Sequence, residues 1–108
     1  MYVKSNKHRI IDTANLLKRE TGLNHDIMVS TRHAKYPPII KVYTGDGRKS
    51  ISVTIDDHPK QISDKTILSK DDFDLICKWI LLNKEKLLDY WYSERASTID
   101  FLNSLKMI

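Results

Sequence analysis

Ile39-Ile40-Lys41-Val42-Tyr43-Thr44-Gly45-Asp46-Gly47-Arg48-Lys49-Ser50-Ile51-Ser52-Val53-Thr54-Ile55 is the stretch whose reading decides the fold. Beyond the turn, Ile51, Val53 and Ile55 alternate strictly with Ser50, Ser52 and Thr54, so one face of a strand is aliphatic and the other carries hydroxyls. Before it, Ile39 to Tyr43 has the β-branched content of a second strand. Thr44-Gly45-Asp46-Gly47 between them is rich in residues that tolerate positive φ, the mark of a hairpin turn. The expectation is a hairpin with one covered and one open face.

Working towards the N-terminus, Lys35-Tyr36-Pro37-Pro38 interrupts regular structure, because proline offers no N–H to a ladder and restricts the residue before it. The run Asp26-Ile27-Met28-Val29-Ser30-Thr31 reads as another strand. Further upstream, Ile10, Ile11, Ala14 and Leu17 recur at helical spacing, with Ser5 or Asn6 able to cap the first turn and Gly22 placed to end the last. These residues predict a helix from about Asn6 to Thr21.

Working towards the C-terminus, Asp56-Asp57-His58-Pro59-Lys60 reads as a turn, and Gln61 to Leu68 as a connection with room for a short edge strand. Ser69 and Asp72 have the spacing of a capping box, and a helix is predicted from there to about Tyr92. Phe73, Ile76, Cys77, Ile80, Leu87, Leu88 and Trp91 form its stripe for covering the sheet. Leu75, Trp79 and Leu82 point elsewhere and need a second cover. The candidates are the N-terminal helix, the segment Thr98 to Ile108 with Ile99, Leu102, Leu105 and Ile108, or a second copy of the chain in a homodimer. The predicted fold is α+β: an N-terminal helix, a three-stranded antiparallel sheet, a long helix and a short terminal helix, in one domain over residues 1–108.

The 108 residues suffice for one core, and 41% hydrophobic with 30% charged residues exclude a disordered or low-complexity chain. No apolar run approaches the roughly 18 residues that cross a bilayer, and the N-terminus has no apolar signal region. A cytoplasmic protein that binds no membrane is expected. The lone Cys77 cannot form an internal disulfide, and neither a metal nor another cofactor is called for. Net charge is +4, distributed unevenly: residues 1–54 hold ten basic and four acidic side chains, and residues 55–108 hold eight basic and ten acidic. Such asymmetry suits a phosphate-bearing or acidic partner, and it equally suits a soluble surface.

The histidines His8, His25, His33 and His58 are scattered without i, i+4 pairing. Asp56 and Asp57 beside His58 are carboxylates next to an imidazole, although adjacent acids in a turn usually only end structure. Cys77, between Ile76 and Lys78 on the apolar stripe, reads as core rather than nucleophile. The strongest candidate for binding is the basic and aromatic group Arg32, His33, Lys35, Tyr36, Lys41, Arg48 and Lys49, predicted to converge at one edge of the sheet. Cations with an aromatic among them suit phosphate contact and base stacking. A charged edge that deters strand-to-strand aggregation accounts for Lys41 and Lys49 as well.

Pro37-Pro38 and the segment Trp79-Ile80-Leu81-Leu82-Asn83 through Leu87-Leu88-Asp89-Tyr90-Trp91, with two tryptophans twelve apart, resemble a bacterial domain-of-unknown-function family numbered forty-one sixty. The resemblance covers roughly residues 26 to 93. That family often occurs in toxin–antitoxin-like gene pairs, and usually reads His-x-Pro-Pro-His-x-His where this chain has Lys35-Tyr36-Pro37-Pro38-Ile39-Ile40-Lys41. All three histidine positions are lost, so no metal or acid–base role is carried over. Asp46-Gly47-Arg48-Lys49, the alternating strand and His58 are similar, more faintly, to HicA toxins, which cleave messenger RNA. The charge asymmetry, the lack of a catalytic set and the resemblance to the family numbered forty-one sixty together lead to the expectation of a non-enzymatic interaction module of a bacterial or mobile-element toxin–antitoxin or defence-related system, binding protein or nucleic acid through the sheet edge around Arg32 to Lys41 and Arg48-Lys49. The alternatives are a ribonuclease toxin with His33 or His58 as base, and a mobile-element inhibitor whose Asp71, Asp72, Asp74, Asp89 and Glu94 mimic phosphate.

Overall fold

Ile51, Val53 and Ile55 all face inward, as their alternation with hydroxyl residues requires. The computed structural model describes residues 13–31, 37–44, 49–62, 68–93 and 97–108. Four strands, β1 (Thr13–Leu16), β2 (Ile27–Ser30), β3 (Ile39–Thr44) and β4 (Lys49–Thr54), form one antiparallel sheet in the order β1-β2-β3-β4. A single turn of helix, α1 (Lys18–Thr21), joins the first two strands. The long helix α2 (Lys70–Tyr92) and the short α3 (Thr98–Ser104) follow the sheet. The architecture is α+β, with four strands where three were expected.

The difference lies in the N-terminal segment. The predicted helix Asn6–Thr21 is replaced over Thr13–Leu16 by strand β1, and only its last turn is helical; residues 6–12 lie outside the described residues. Ala14 and Leu16 are buried between exposed Thr13 and Asn15, and they pair with Val29 and Ile27. A short apolar pattern that includes Ala14 and Leu17 satisfies a helical period, but the edge of β2 supplies ladder partners that an isolated helix lacks, and pairing overrides local propensity. Leu17, counted on the helical stripe, is 41% exposed. Gly22 does end the turn as expected: it has φ +84° and donates its N–H to the Lys18 carbonyl, 2.8 Å.

The register places Ile27 opposite Val42, Val29 opposite Ile40, Ile40 opposite Val53, and Val42 opposite Ile51. These side chains and those of Ala14 and Leu16 on β1 form one continuous aliphatic face, its valines, leucine and isoleucines each worth about 1.5–3 kcal/mol when fully buried. The helix α2 roofs it with Ile76, Ile80 and Leu87, all buried, and with Phe73 and Leu88 partly so; Trp91, predicted on the same stripe, is buried but stands outside this core cluster. Ser69 caps this helix as predicted, its hydroxyl accepting from the Asp72 N–H at 3.2 Å. Past β4, His58 N–H closes a turn on Asp56 Oδ1 at 2.8 Å, and Gln61 makes a one-residue bridge to Val53. The turn residues 45–48 lie outside the described residues.

The second cover is the chain's own C-terminus. Trp79 is fully buried rather than presented to another molecule, so the predicted homodimer cluster Leu75, Trp79, Leu82 loses its central member. Leu75 is half-buried against the core, and only Leu82 stays exposed. One turn beyond Trp79 on the same face, Asn83 grips the tail with both ends of its amide. Its Oδ1 accepts from Lys106 N–H at 2.7 Å, and its Nδ2 donates to the Lys106 carbonyl at 3.0 Å. Ile108 N–H then donates to the Thr21 carbonyl at 2.9 Å. Phe101 of α3 stacks on Tyr90, ring centroids 4.0 Å apart, and Leu102 and Leu105 pack on the core. No helix among the described residues is long and apolar enough to cross a membrane.

Candidate functional site

The alternation that buries one face of the sheet opens the other. Asn15 on β1 lies opposite Met28 on β2, Met28 opposite Lys41 on β3, and Lys41 opposite Ser52 on β4. The four form a row across every strand, spanning about 14 Å at the usual strand spacing. Tyr43 lies two residues from Lys41 on the same face, about 7 Å along the strand, and donates its hydroxyl to Met28 Sδ at 3.6 Å. Lys41, Met28, Tyr43 and Ser52 are half-buried, with their outer surfaces open to solvent. At the opposite end of the face Ser30 and Ile39 are buried, so the accessible part is the end that holds Asn15, Lys41 and Tyr43.

That end deepens into a surface pocket of about 210 Å³ lined by Asn15, Leu16, Leu17, Asp26, Ile27 and Tyr43. The backbone around it is fixed on both sides. Tyr43 N–H donates to the Asp26 carbonyl at 2.9 Å, and the Asp26 side chain accepts the Lys18 N–H through Oδ1 at 3.0 Å. The Tyr43 carbonyl faces His25 Nδ1 at 3.0 Å, and His25 Nε2 faces Asp72 Oδ2 at 3.0 Å. A carbonyl and a carboxylate both only accept, so the ring makes both hydrogen bonds only when it carries two N–H groups. Asn24 Nδ2 donates to the other Asp72 oxygen at 2.8 Å. These contacts hold the Asp72 carboxyl below the ordinary carboxylate value, Asn24 contributing most and His25 next. The first turn of α2 is thereby tied to the strand ends that carry the pocket.

The predicted basic group fares unevenly. Arg32, His33, Lys35, Tyr36 and Arg48 lie outside the described residues. Lys41 is not at an edge: β3 is an interior strand, and Lys41 projects from the open face. Lys49 is exposed at the start of β4, but its parity places it on the side of Ile51 and Val53, opposite Lys41. A period-two reading of Ile39 to Thr44 predicts Tyr43 beside Lys41, and the same reading of Lys49 to Thr54 puts Lys49 with Ile51 and Val53 on the other face. Nothing in the sequence pairs Asn24 and His25 with Asp72, nearly fifty residues away.

The catalytic candidates do not assemble among the described residues. His58 is exposed, Asp56 is used by its own turn, and Asp57 forms an ion pair with Lys84 that lowers its carboxyl below the usual range. Cys77 is half-buried, and burial pushes its thiol up, away from the thiolate a nucleophile needs. No group of three or more His, Cys, Asp or Glu that could hold a metal ion occurs among the described residues. Of the acidic residues proposed as phosphate mimics, Asp72 is engaged by Asn24 and His25, and Asp74 pairs with Lys70. Asp71 and Asp89 are exposed, and Glu94 lies outside the described residues.

No family model matches the chain, and no curated protein or solved structure matches it at a significant level. The likeness to the family numbered forty-one sixty and the fainter one to HicA toxins therefore remain expectations drawn from the residues quoted above.

Proposed function

We propose that the chain is a non-enzymatic interaction module that lays a single-stranded nucleic acid across the open face of its sheet, in a bacterial or mobile-element toxin–antitoxin or defence setting. The observation that carries the reading is the row Asn15, Met28, Lys41, Ser52 with Tyr43 beside it, a cation and an aromatic side by side on a four-stranded platform. Single strands bind such platforms by stacking unpaired bases on aromatic rings while cations follow the phosphates. The excess of basic residues in the N-terminal half supports the same reading. The setting is taken from the resemblance of the Trp79–Trp91 helix.

The experiment is fluorescence anisotropy with a labelled oligouridine of about eight nucleotides, within the site size of small single-strand binders, across a salt series. Affinity is expected to fall linearly on logarithmic axes as salt rises, and Lys41→Gln to make the slope shallower by about 0.7, one phosphate's share for a single strand. Affinity indifferent to salt, or unchanged in both Lys41→Gln and Tyr43→Leu, removes the open face from the account.

A further inference from the structure

The pocket at the end of the row is chemically unlike the rest of the open face. Exposed Leu17 and half-buried Tyr43 line it beside Asn15, while Leu16 and Ile27, whose side chains are buried on the covered face, border it at the strand ends, and its charged group is a carboxylate, that of Asp26. Its volume, about 210 Å³, lies below the roughly 300–1,000 Å³ of sites that enclose a whole drug-sized ligand. It suits one ring system of a longer ligand.

The polar groups narrow the choice of ring. Asp26 Oδ1 accepts the Lys18 N–H, which fixes the carboxylate plane, and Oδ2 has no partner among the described residues. The Asn15 amide likewise has no hydrogen bond there. A carboxylate beside a surface that follows phosphates opposes general affinity, so its contribution is to selectivity, through a ligand edge that offers donors. Among nucleic-acid bases, guanine alone presents two adjacent donors on its pairing edge, N1–H and the N2 amino group. Adenine and cytosine present one amino group next to a ring acceptor that the carboxylate repels. Uracil presents one N–H between two carbonyls.

We infer that this pocket is a subsite for one unstacked guanine, its N1–H and N2 amino group donating to Asp26, its O6 accepting from Asn15 and its ring against Tyr43, with Lys41 on an adjoining phosphate. The inference rests on the single-strand reading above and adds base choice to it. The spacing of Lys41 and Tyr43, about 7 Å along one strand face, is compatible with a phosphate and its neighbouring base.

The test is competition binding to the full chain by four oligouridines of about eight nucleotides, identical but for G, A, C or U at one central position. The G-containing strand is expected to bind about tenfold more tightly than the other three, the scale of one two-hydrogen-bond base contact. Asp26→Asn keeps an oxygen for the Lys18 N–H while losing the paired acceptors, and should abolish the preference without weakening the all-uridine strand. Asn15→Ala, a solvent-exposed change, should reduce the preference if Asp26→Asn fails to fold. Equal affinity for all four strands in the wild-type chain overturns the guanine subsite and leaves the single-strand reading standing. Salt-insensitive binding of every strand overturns both. Displacement of the G strand by a short arginine-containing peptide at equal concentration also overturns the inference, because a guanidinium offers the same paired donors and the pocket would then serve a protein partner.

Discussion

Both faces of the sheet are built from the same four strands, residue by alternate residue, yet they answer to different constraints. On the covered face, Ala14, Leu16, Ile27, Val29, Ile40, Val42, Ile51 and Val53 are sealed under α2, and each is there because water is excluded. On the open face, Asn15 is exposed and Met28, Lys41, Tyr43 and Ser52 are half-buried, outside that core. The comparison teaches that stability and binding are written into alternate positions of one ladder. A substitution on one face should therefore leave the other's property nearly untouched.

The largest departure should come from the covered side. Trp79→Ala, which empties a site that is fully buried, is expected to cost about 3–5 kcal/mol in urea unfolding. Ser52→Ala on the open face should stay within about 0.5 kcal/mol of the parent. Equal losses would break the division between the faces. Asn83→Ala should rank next, at about 1–3 kcal/mol, because it leaves the Lys106 N–H and carbonyl without their amide partner. Limited proteolysis should then release the tail beyond α3 earlier than in the parent. Gly22→Ala should cost about 1–2 kcal/mol for the left-handed backbone alone, with more for a Cβ placed 2.8 Å from the Ile108 carbonyl oxygen.

The clasp between the strand ends and α2 gives a smaller, pH-dependent effect. Asn24 first and His25 second hold the Asp72 carboxyl below its ordinary value, so the folded value is below the unfolded one. The stabilisation is then fully present above the unfolded value, about pH 4, and is lost as pH falls through the folded value. Urea midpoints measured down the acid range should decline less steeply in Asp72→Asn than in the parent. An identical acid limb in the two proteins would show that the clasp is not coupled to folding.

Much of the covered face is legible in the sequence, because the pairing of β3 with β4 and the stripe of α2 depend on neighbours close along the chain. Ser50 to Ile55 can alternate in only one way that hides isoleucine and valine, and Ser69 and Asp72 announce the start of α2 within one turn. The N-terminal strand is not legible, since Ala14, Leu16 and Leu17 satisfy more than one period and the arbiter is a partner strand more than ten residues away. The open face is half legible. Parity alone sets Tyr43 beside Lys41 and separates Lys49 from both. Asn15 is hidden by the helical reading of its segment, and the ties from Asn24 and His25 to Asp72 leave no local signature. The tail is legible as one of three candidate covers but not as the one used, because the choice rests on Asn83 meeting the Lys106 backbone, 23 residues away, which no local pattern announces.

The measurement that tests the account most directly is a backbone amide NMR titration of the full chain with the short oligouridine. The account predicts that shifts concentrate at Asn15, Met28, Lys41, Tyr43 and Ser52, while the exposed side of α2 at Lys78, Leu82 and Glu85 stays still. Shifts confined to α2 or the C-terminal tail, with the open-face amides unmoved, would contradict it.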